Sequence, residues 1–295
     1  MARMTAKDFH PALLELYDHY AHGSITKREF LDRAGKYVAG GLTALAVLDL
    51  LSPDYALAQQ VAPDDPAIAA ERVTYASPDG NGTVNALKVR PAGAEGRLPA
   101  VVVVHENRGL NPYIEDVARR LGKAGYMAFA PDGLSSVGGY PGNDEQGREL
   151  QSQVDPAKLM NDFFAAVQAM LADPGSTGKV GIVGFCYGGG VCNAAAVAFP
   201  ELAAAVPFYG RQAAAGDVPK IRAPLQLHYA ELDTRINEGW PAYEAALRDN
   251  GKVYEAHIYP GVNHGFHNDT TPRYDAAAAT LAWDRTLAWF GRYLA

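Results

Sequence analysis

The chain has 295 residues, 26 lysines and arginines against 33 acidic residues, and a formal net charge of −7. That length suits one large domain or two small ones, and the ordinary apolar share supports a core of normal size. No lysine- or arginine-rich run is present, which argues against nucleic acid as a partner. No apolar run reaches the roughly 18 residues that a membrane-spanning helix needs.

Residues 1–58 differ from the rest. Residues 7–21 carry Phe9, Leu13, Leu16 and Tyr20 near one face of an expected amphipathic helix. Thr26 followed by Glu29 is a capping box that opens a second helix. Two readings of this segment stay open. The run Thr26-Lys27-Arg28-Glu29-Phe30-Leu31, the uncharged stretch Tyr37 to Leu48 and Ala56-Leu57-Ala58 together are similar to a twin-arginine export signal, which implies a periplasmic protein. Alternatively, the segment is retained in a cytoplasmic protein and packs on the domain or on a second copy of the chain as a homo-oligomer contact. Asp32 and Asp49 suit that second reading better. Residues 59–70, with Gln-Gln-Val-Ala-Pro-Asp-Asp-Pro at Gln59 to Pro66, read as a linker to a catalytic domain over 71–295.

From residue 71 strand-like and helix-like runs alternate. Arg72 to Ala76 and Asn85 to Val89 form an expected antiparallel pair around Pro78-Asp79-Gly80-Asn81-Gly82. Ala100 to His105 is a solid apolar run, as in a strand buried on both faces. A helix over Ile114 to Ala124 and a strand over Met127 to Ala130 follow. Lys158 to Leu171 is amphipathic, with Leu159, Phe163, Val167 and Leu171 at four-residue spacing. Val180 to Gly184 is a buried strand, followed by a helix to Phe199. Strands at Ala204 to Phe208 and Pro224 to Tyr229, a helix at Trp240 to Asp249, a strand at Val253 to Tyr259 and a helix at Ala276 to Tyr293 complete the chain. Such alternation predicts an α/β fold, a mostly parallel sheet with helices on both faces. Ligands then sit at the carboxyl ends of the strands, so site residues should follow strands.

The sharpest motif is Gly184-Phe185-Cys186-Tyr187-Gly188-Gly189-Gly190, directly after a strand and opening a helix. It is the nucleophile-elbow pattern with cysteine in place of serine. Side chains at 184 and 188 would collide with the neighbouring strand and helix, and a helix start favours the thiolate. Cys192, the other cysteine, lies six residues on in the same helix and faces elsewhere, so no disulfide is expected. Asp233 and then His264 follow the next strands in the order nucleophile, acid, histidine. His264 would take the thiol proton and Asp233 would orient the imidazole, with Glu231 as the competing acid. His105, His228 and His257 lie within strands and read as structural. His267 could share a metal with His264, but no third ligand has recognisable spacing, so neither metal nor cofactor is expected. The oxyanion hole would use the backbone N–H groups of Asn107 and Tyr187, and Glu106 would lie beside the thiol.

These residues resemble the dienelactone hydrolase family from about residue 71 to the end. The likeness rests on Glu106-Asn107-Arg108-Gly109-Leu110-Asn111, Ala130-Pro131-Asp132, the Cys186 elbow, Asp233 and His264-Gly265-Phe266. The resemblance implies an α/β-hydrolase fold and a carboxymethylenebutenolidase-like enzyme. Such an enzyme cleaves a small-molecule ester or enol lactone through a Cys186–His264–Asp233 triad and a thioester, without metal. It also implies that Glu106 holds the thiol neutral at rest and accepts its proton when substrate binds. The family's two carboxylate-binding arginines are replaced here by Leu134-Ser135-Ser136 and His267-Asn268-Asp269, so a neutral ester or lactone fits as well. Arg108, Ser136, Tyr209 and Arg211 are the remaining candidates for substrate contact, with Arg235 as a further arginine. The competing readings are a thiol redox or sensing protein using Cys186, and a silent hydrolase fold that serves in binding.

Overall fold

A computed structural model of the chain describes residues 4–38 and 42–295. Its sheet has eight strands: β1 (Ile68–Ser77), β2 (Gly82–Pro91), β3 (Leu98–Val104), β4 (Met127–Pro131), β5 (Ser176–Phe185), β6 (Ala204–Phe208), β7 (Leu225–Ala230) and β8 (Tyr254–Tyr259). Their spatial order is β1-β2-β4-β3-β5-β6-β7-β8. The hairpin β1–β2 and the pair β2–β4 are antiparallel, and every later pairing is parallel. This is the mostly parallel sheet that the alternating pattern predicts, in the α/β-hydrolase form that the resemblance implies.

The all-valine stretch of β3 shows why the strand is apolar throughout. Successive side chains leave opposite faces of a strand. Val102 and Val104 pack into one core layer with Phe163, Ile182 and Leu227. Val101 and Val103 pack into the other with Ile114, Leu121 and Phe290. Three helices precede the sheet: α1 (Pro11–Ala21), α2 (Lys27–Ala34) and α3 (Ala44–Leu51). Seven follow or intersperse it: α4 (Pro112–Lys123), α5 (Asp144–Gln153), α6 (Pro156–Ala172), α7 (Tyr187–Ala198), α8 (Thr234–Asn237), α9 (Trp240–Asp249) and α10 (Ala276–Leu294). Residues of α6, α7 and α9 cover the first face, and those of α4 and α10 cover the second. Among the described residues no helix is long and apolar enough to cross a membrane.

The N-terminal arm has its own small core of Leu13, Tyr17, Phe30, Leu48 and Leu51. Each helix start is satisfied locally. Pro11 is the first residue of α1, the Thr26–Glu29 capping box opens α2, and the Thr43 side chain caps α3. The apolar stretch read from Tyr37 to Leu48 ends inside α3, while residues 39–41 within it lie outside the described residues.

Two features depart from the sequence reading. Residues 59–70 are not a free linker. Val61 is buried, its N–H donates to Asp116 Oδ1 at 2.9 Å, and its carbonyl accepts from Arg119 Nε at 2.7 Å, while β1 already begins at Ile68. Proline and aspartate gave the segment its loop-like composition, but buried polar groups of α4 take up its backbone. The helix α5 was not anticipated, because it is polar and buries only Gly147. That glycine is required: a Cβ there would lie 2.5 Å from the Arg108 carbonyl oxygen.

Candidate active site

Cys186 stands between the last residue of β5 and the first of α7. Its backbone has φ 57° and ψ −112°, a left-handed conformation that a non-glycine residue adopts only under constraint. The constraint is visible. The Cys186 N–H donates to the Phe208 carbonyl at 3.1 Å. A Cβ at position 184 would lie 2.2 Å from the Gly188 carbonyl oxygen, and one at 188 would lie 2.4 Å from that of Val104. Only glycines let strand, turn and helix close this tightly. Cys186 is buried but lines a cavity of about 710 Å³ with Asn107, Tyr187, Tyr209, Arg211 and His264.

Asp233 and His264 come from the loops beyond β7 and β8. Asp233 caps α8, accepting from the Ile236 N–H, and its second oxygen lies 2.5 Å from His264 Nδ1. With Nδ1 held there, the buried His264 Nε2 has no hydrogen-bond partner. Glu231 is exposed and accepts from the Gly261 N–H at 2.7 Å, so it braces the loop instead of serving the imidazole.

The hydrogen-bonding partner of the sulfur comes from the arm. His22, the residue that ends α1, places Nε2 at 3.1 Å from Cys186 Sγ. Its Nδ1 lies 2.7 Å from the Asp18 carbonyl oxygen and 3.3 Å from the Asp18 carboxylate. Its ring meets that of His264 edge to face, with centroids 4.7 Å apart. Arg235 Nη2 also lies 3.1 Å from His22 Nε2, and Asp18 in turn receives Arg235 and Arg273, each at 3.4 Å. Burial pulls the His22 imidazole down, but the Cys186 sulfur and Asp18 outweigh it and hold it above the ordinary histidine range. Burial likewise opposes ionisation of Asp18, yet His264, His22 and Arg273 hold its carboxyl well below the usual range. The ligand atoms of His22, Cys186 and His264 lie within 4.8 Å of one another, the one group among the described residues that could hold a metal ion.

The other candidates divide. Glu106 is buried, and its carboxylate accepts from Asn268 Nδ2 at 3.2 Å. The Asn107 side chain donates to the Ala21 carbonyl at 2.7 Å, tying the arm to this loop. Tyr209 and Arg211 line the cavity above Cys186. Arg108 and Ser136 do not. Arg108 is buried against Asp144 at 2.7 Å and faces a separate cavity of about 350 Å³ that includes Tyr20 and Tyr55, and Ser136 sits exposed in a short turn. His105 is structural: Nδ1 meets the Glu106 carbonyl at 2.5 Å, Nε2 accepts from the Gly133 N–H, and burial pushes the ring down toward neutrality. His267 turns away from His264, with Nδ1 at 2.7 Å from the Tyr113 hydroxyl and its ring stacked on Phe185. Cys192 is fully buried in the core layer on the opposite face of the sheet from Cys186. Sequence reasoning missed His22 altogether, since nothing in its local pattern ties it to a cysteine 164 positions later.

Comparison with known proteins decides the family. Residues 84–294 match the profile of the "Dienelactone hydrolase family". The chain belongs to the dienelactone hydrolase family. A Methylorubrum extorquens member named "Putative carboxymethylenebutenolidase" is 34% identical over 230 residues, covering 72% of this chain and 78% of that protein. An Escherichia coli K12 protein named "Putative hydrolase fragment YghX" is 70% identical over 115 residues, covering 39% of this chain and 98% of the fragment. A crystal structure named "Putative Dienelactone Hydrolase" from Klebsiella pneumoniae superposes with a TM-score of 0.68 at 30% identity, over 77% of this chain and 100% of its own. The dienelactone hydrolase profile therefore starts well after the arm. Residues 1–39 match a different profile, described as YqhI-like, and His22 lies within it. This dienelactone hydrolase relative is an ester or lactone hydrolase of the carboxymethylenebutenolidase-like class.

Proposed function

We propose that the enzyme cleaves a carboxylic ester or lactone by nucleophilic attack of Cys186 Sγ on the acyl carbon. The alcohol or enol leaves with a proton, and a thioester remains on the sulfur. His264 acts as base and acid, oriented by Asp233, and then activates the water that releases the acid product. The N–H groups of Asn107 and Tyr187 receive the oxyanion, both residues being neighbours of Cys186 at the cavity wall. Glu106, buried with its carboxylate accepting from Asn268 Nδ2, is the reserve acceptor for the thiol proton. Tyr209 and Arg211 contact the substrate. The mixed apolar and cationic cavity suits a small neutral ester or a monoanionic lactone.

The observation that supports this reading best is the Asp233–His264 contact of 2.5 Å beside a cysteine held at positive φ. Turnover of p-nitrophenyl acetate and of a simple enol lactone by the wild type and by Cys186→Ala tests it. The variant is expected to lose at least about 10³-fold in kcat/KM. Equal rates would remove the proposal.

A further inference from the structure

We propose that His22 of the N-terminal arm is a second catalytic histidine, which takes the proton of Cys186 in the resting enzyme. The inference rests on Cys186 being the nucleophile, and it assigns to the arm a chemical role at the reacting sulfur.

The geometry repeats the logic of the Asp233–His264 pair from the opposite side. A base must have one ring nitrogen fixed by an acceptor and the other within reach of the acidic proton. His22 Nδ1 is 2.7 Å from the Asp18 carbonyl, which requires Nδ1 to carry the hydrogen. The single lone pair on Nε2 then faces both Sγ and Arg235 Nη2, each at 3.1 Å; the guanidinium can only donate, so the thiol proton displaces that contact when it moves to Nε2. Transfer breaks the S–H bond and forms Nε2–H, leaving a thiolate beside an imidazolium with no net change of charge. On acylation that proton passes to the leaving oxygen. His22 thereby takes over from His264 the thiol proton and its delivery to the leaving group, and His264, whose Nε2 is unengaged, keeps the later step in which water is deprotonated.

The charges around the ring agree with this role. Asp18 of α1 lies at 3.3 Å and favours the imidazolium. Arg235 of α8 and Arg273, ahead of α10, both contact Asp18; Arg235 also lies 3.1 Å from His22 Nε2, where its charge opposes the imidazolium against the Asp18 carboxylate and the thiolate that favour it. His264, with Asp233 behind it, faces from the loop after β8. A metal ion on the same three ligands would have to sit beside the Arg235 guanidinium, 3.1 Å from one ligand nitrogen, so the arrangement favours an anion at sulfur over a bound cation.

The arm is seated to deliver this residue. Asn107 holds the Ala21 carbonyl, Arg148 donates to the Tyr20 carbonyl, and Lys27 pairs with Glu145 at 2.6 Å. These contacts bracket His22 on both sides in sequence.

The test is alkylation of Cys186 by iodoacetamide in the full-length protein, followed by peptide mass, between about pH 5 and 9. It reads the sulfur without any substrate, so it is independent of whether the ester reading holds. The near-isosteric His22→Gln is expected to alkylate about tenfold more slowly at neutral pH, with its profile displaced to higher pH, because only the thiolate reacts. His22→Ala should show the same loss and regain most of the rate when imidazole is added. Rescue requires a folded site with a vacant ring position, so a merely damaged fold would not respond. Wild-type rates and profile in His22→Gln would overturn the proposal, as would a slow His22→Ala that imidazole leaves slow. Unchanged ester turnover by Cys186→Ala, with the alkylation result intact, would instead remove only the hydrolytic reading.

Discussion

The 2.5 Å contact between Asp233 and His264 Nδ1 fixes which ring nitrogen is free, and that choice decides what the imidazole can do. Asp233→Asn keeps the size and the Ile236 cap but offers an N–H where an acceptor is needed, so the ring takes the wrong tautomer. The expected result is a fall in kcat of about 10³-fold or more with little change in thermal stability, measured by ester turnover and melting. Arg108 gives the opposite pattern. Its guanidinium is buried against Asp144, so Arg108→Ala leaves that carboxylate without its cation, held only by the Tyr55 and Tyr140 hydroxyls, and should cost about 2–3 kcal/mol by denaturant unfolding. Turnover per folded molecule should stay near wild type, since Arg108 lies outside the Cys186 cavity. These two residues also show what a sequence reveals at this scale. Asp233 was legible because chain order after each strand limits where an acid can stand. The direction of Arg108 was not, because the carboxylate that claims it sits on α5, a helix with no apolar stripe to announce it.

Among elements, α1 is the one whose placement changes the chemistry. Its amphipathic spacing and the α2 capping box were readable, and its docking site was not, since no local pattern encodes where a helix goes. The docking is partly ionic, through Asp18 with Arg235 and Arg273. Asp18 is held below the usual carboxylate range in the folded protein. A depressed value means that its contribution is complete above about pH 4, the ordinary carboxylate range, and is lost as acid titrates the group downward. Hydrogen exchange should therefore show α1 amides opening more readily near pH 3 than at neutrality, while β3 and β5 remain protected. Asp18→Asn should reproduce that opening at neutral pH. Identical α1 exchange in variant and wild type would show that the apolar contacts of Leu13 and Tyr17 suffice. The elbow formed by β5 and α7 was the most legible element, because its glycines answer to a steric demand that admits no other residue at 184 or 188.

For the whole molecule, the order of buried strands and amphipathic helices was enough to foresee a parallel sheet with two covered faces. The valines of β3 divide between those faces as the alternation of a strand requires. What the linear pattern could not convey was the relation of the arm to that body. The segment carries the lengths and small residues of an export signal, and Ala58, the last residue of that small-residue triplet, is 1% exposed in the core layer with Val101 and Phe290. Composition reports what a segment resembles, and packing reports where its atoms end up. Here Arg119 and Asp116 of α4 capture the backbone around residue 61, a contact that composition does not encode.

The contact between His22 and Cys186 joins positions 164 apart, and it has a temporal side. A ribosome delivers the imidazole early, long before the turn that bears the sulfur exists. That turn is itself anchored by Phe208, which is made later still. The imidazole is therefore made long before the seat of its sulfur can close. On the proposed role of His22, a chain that stops short of Phe208 carries both partners of the contact but not the strand that seats the sulfur.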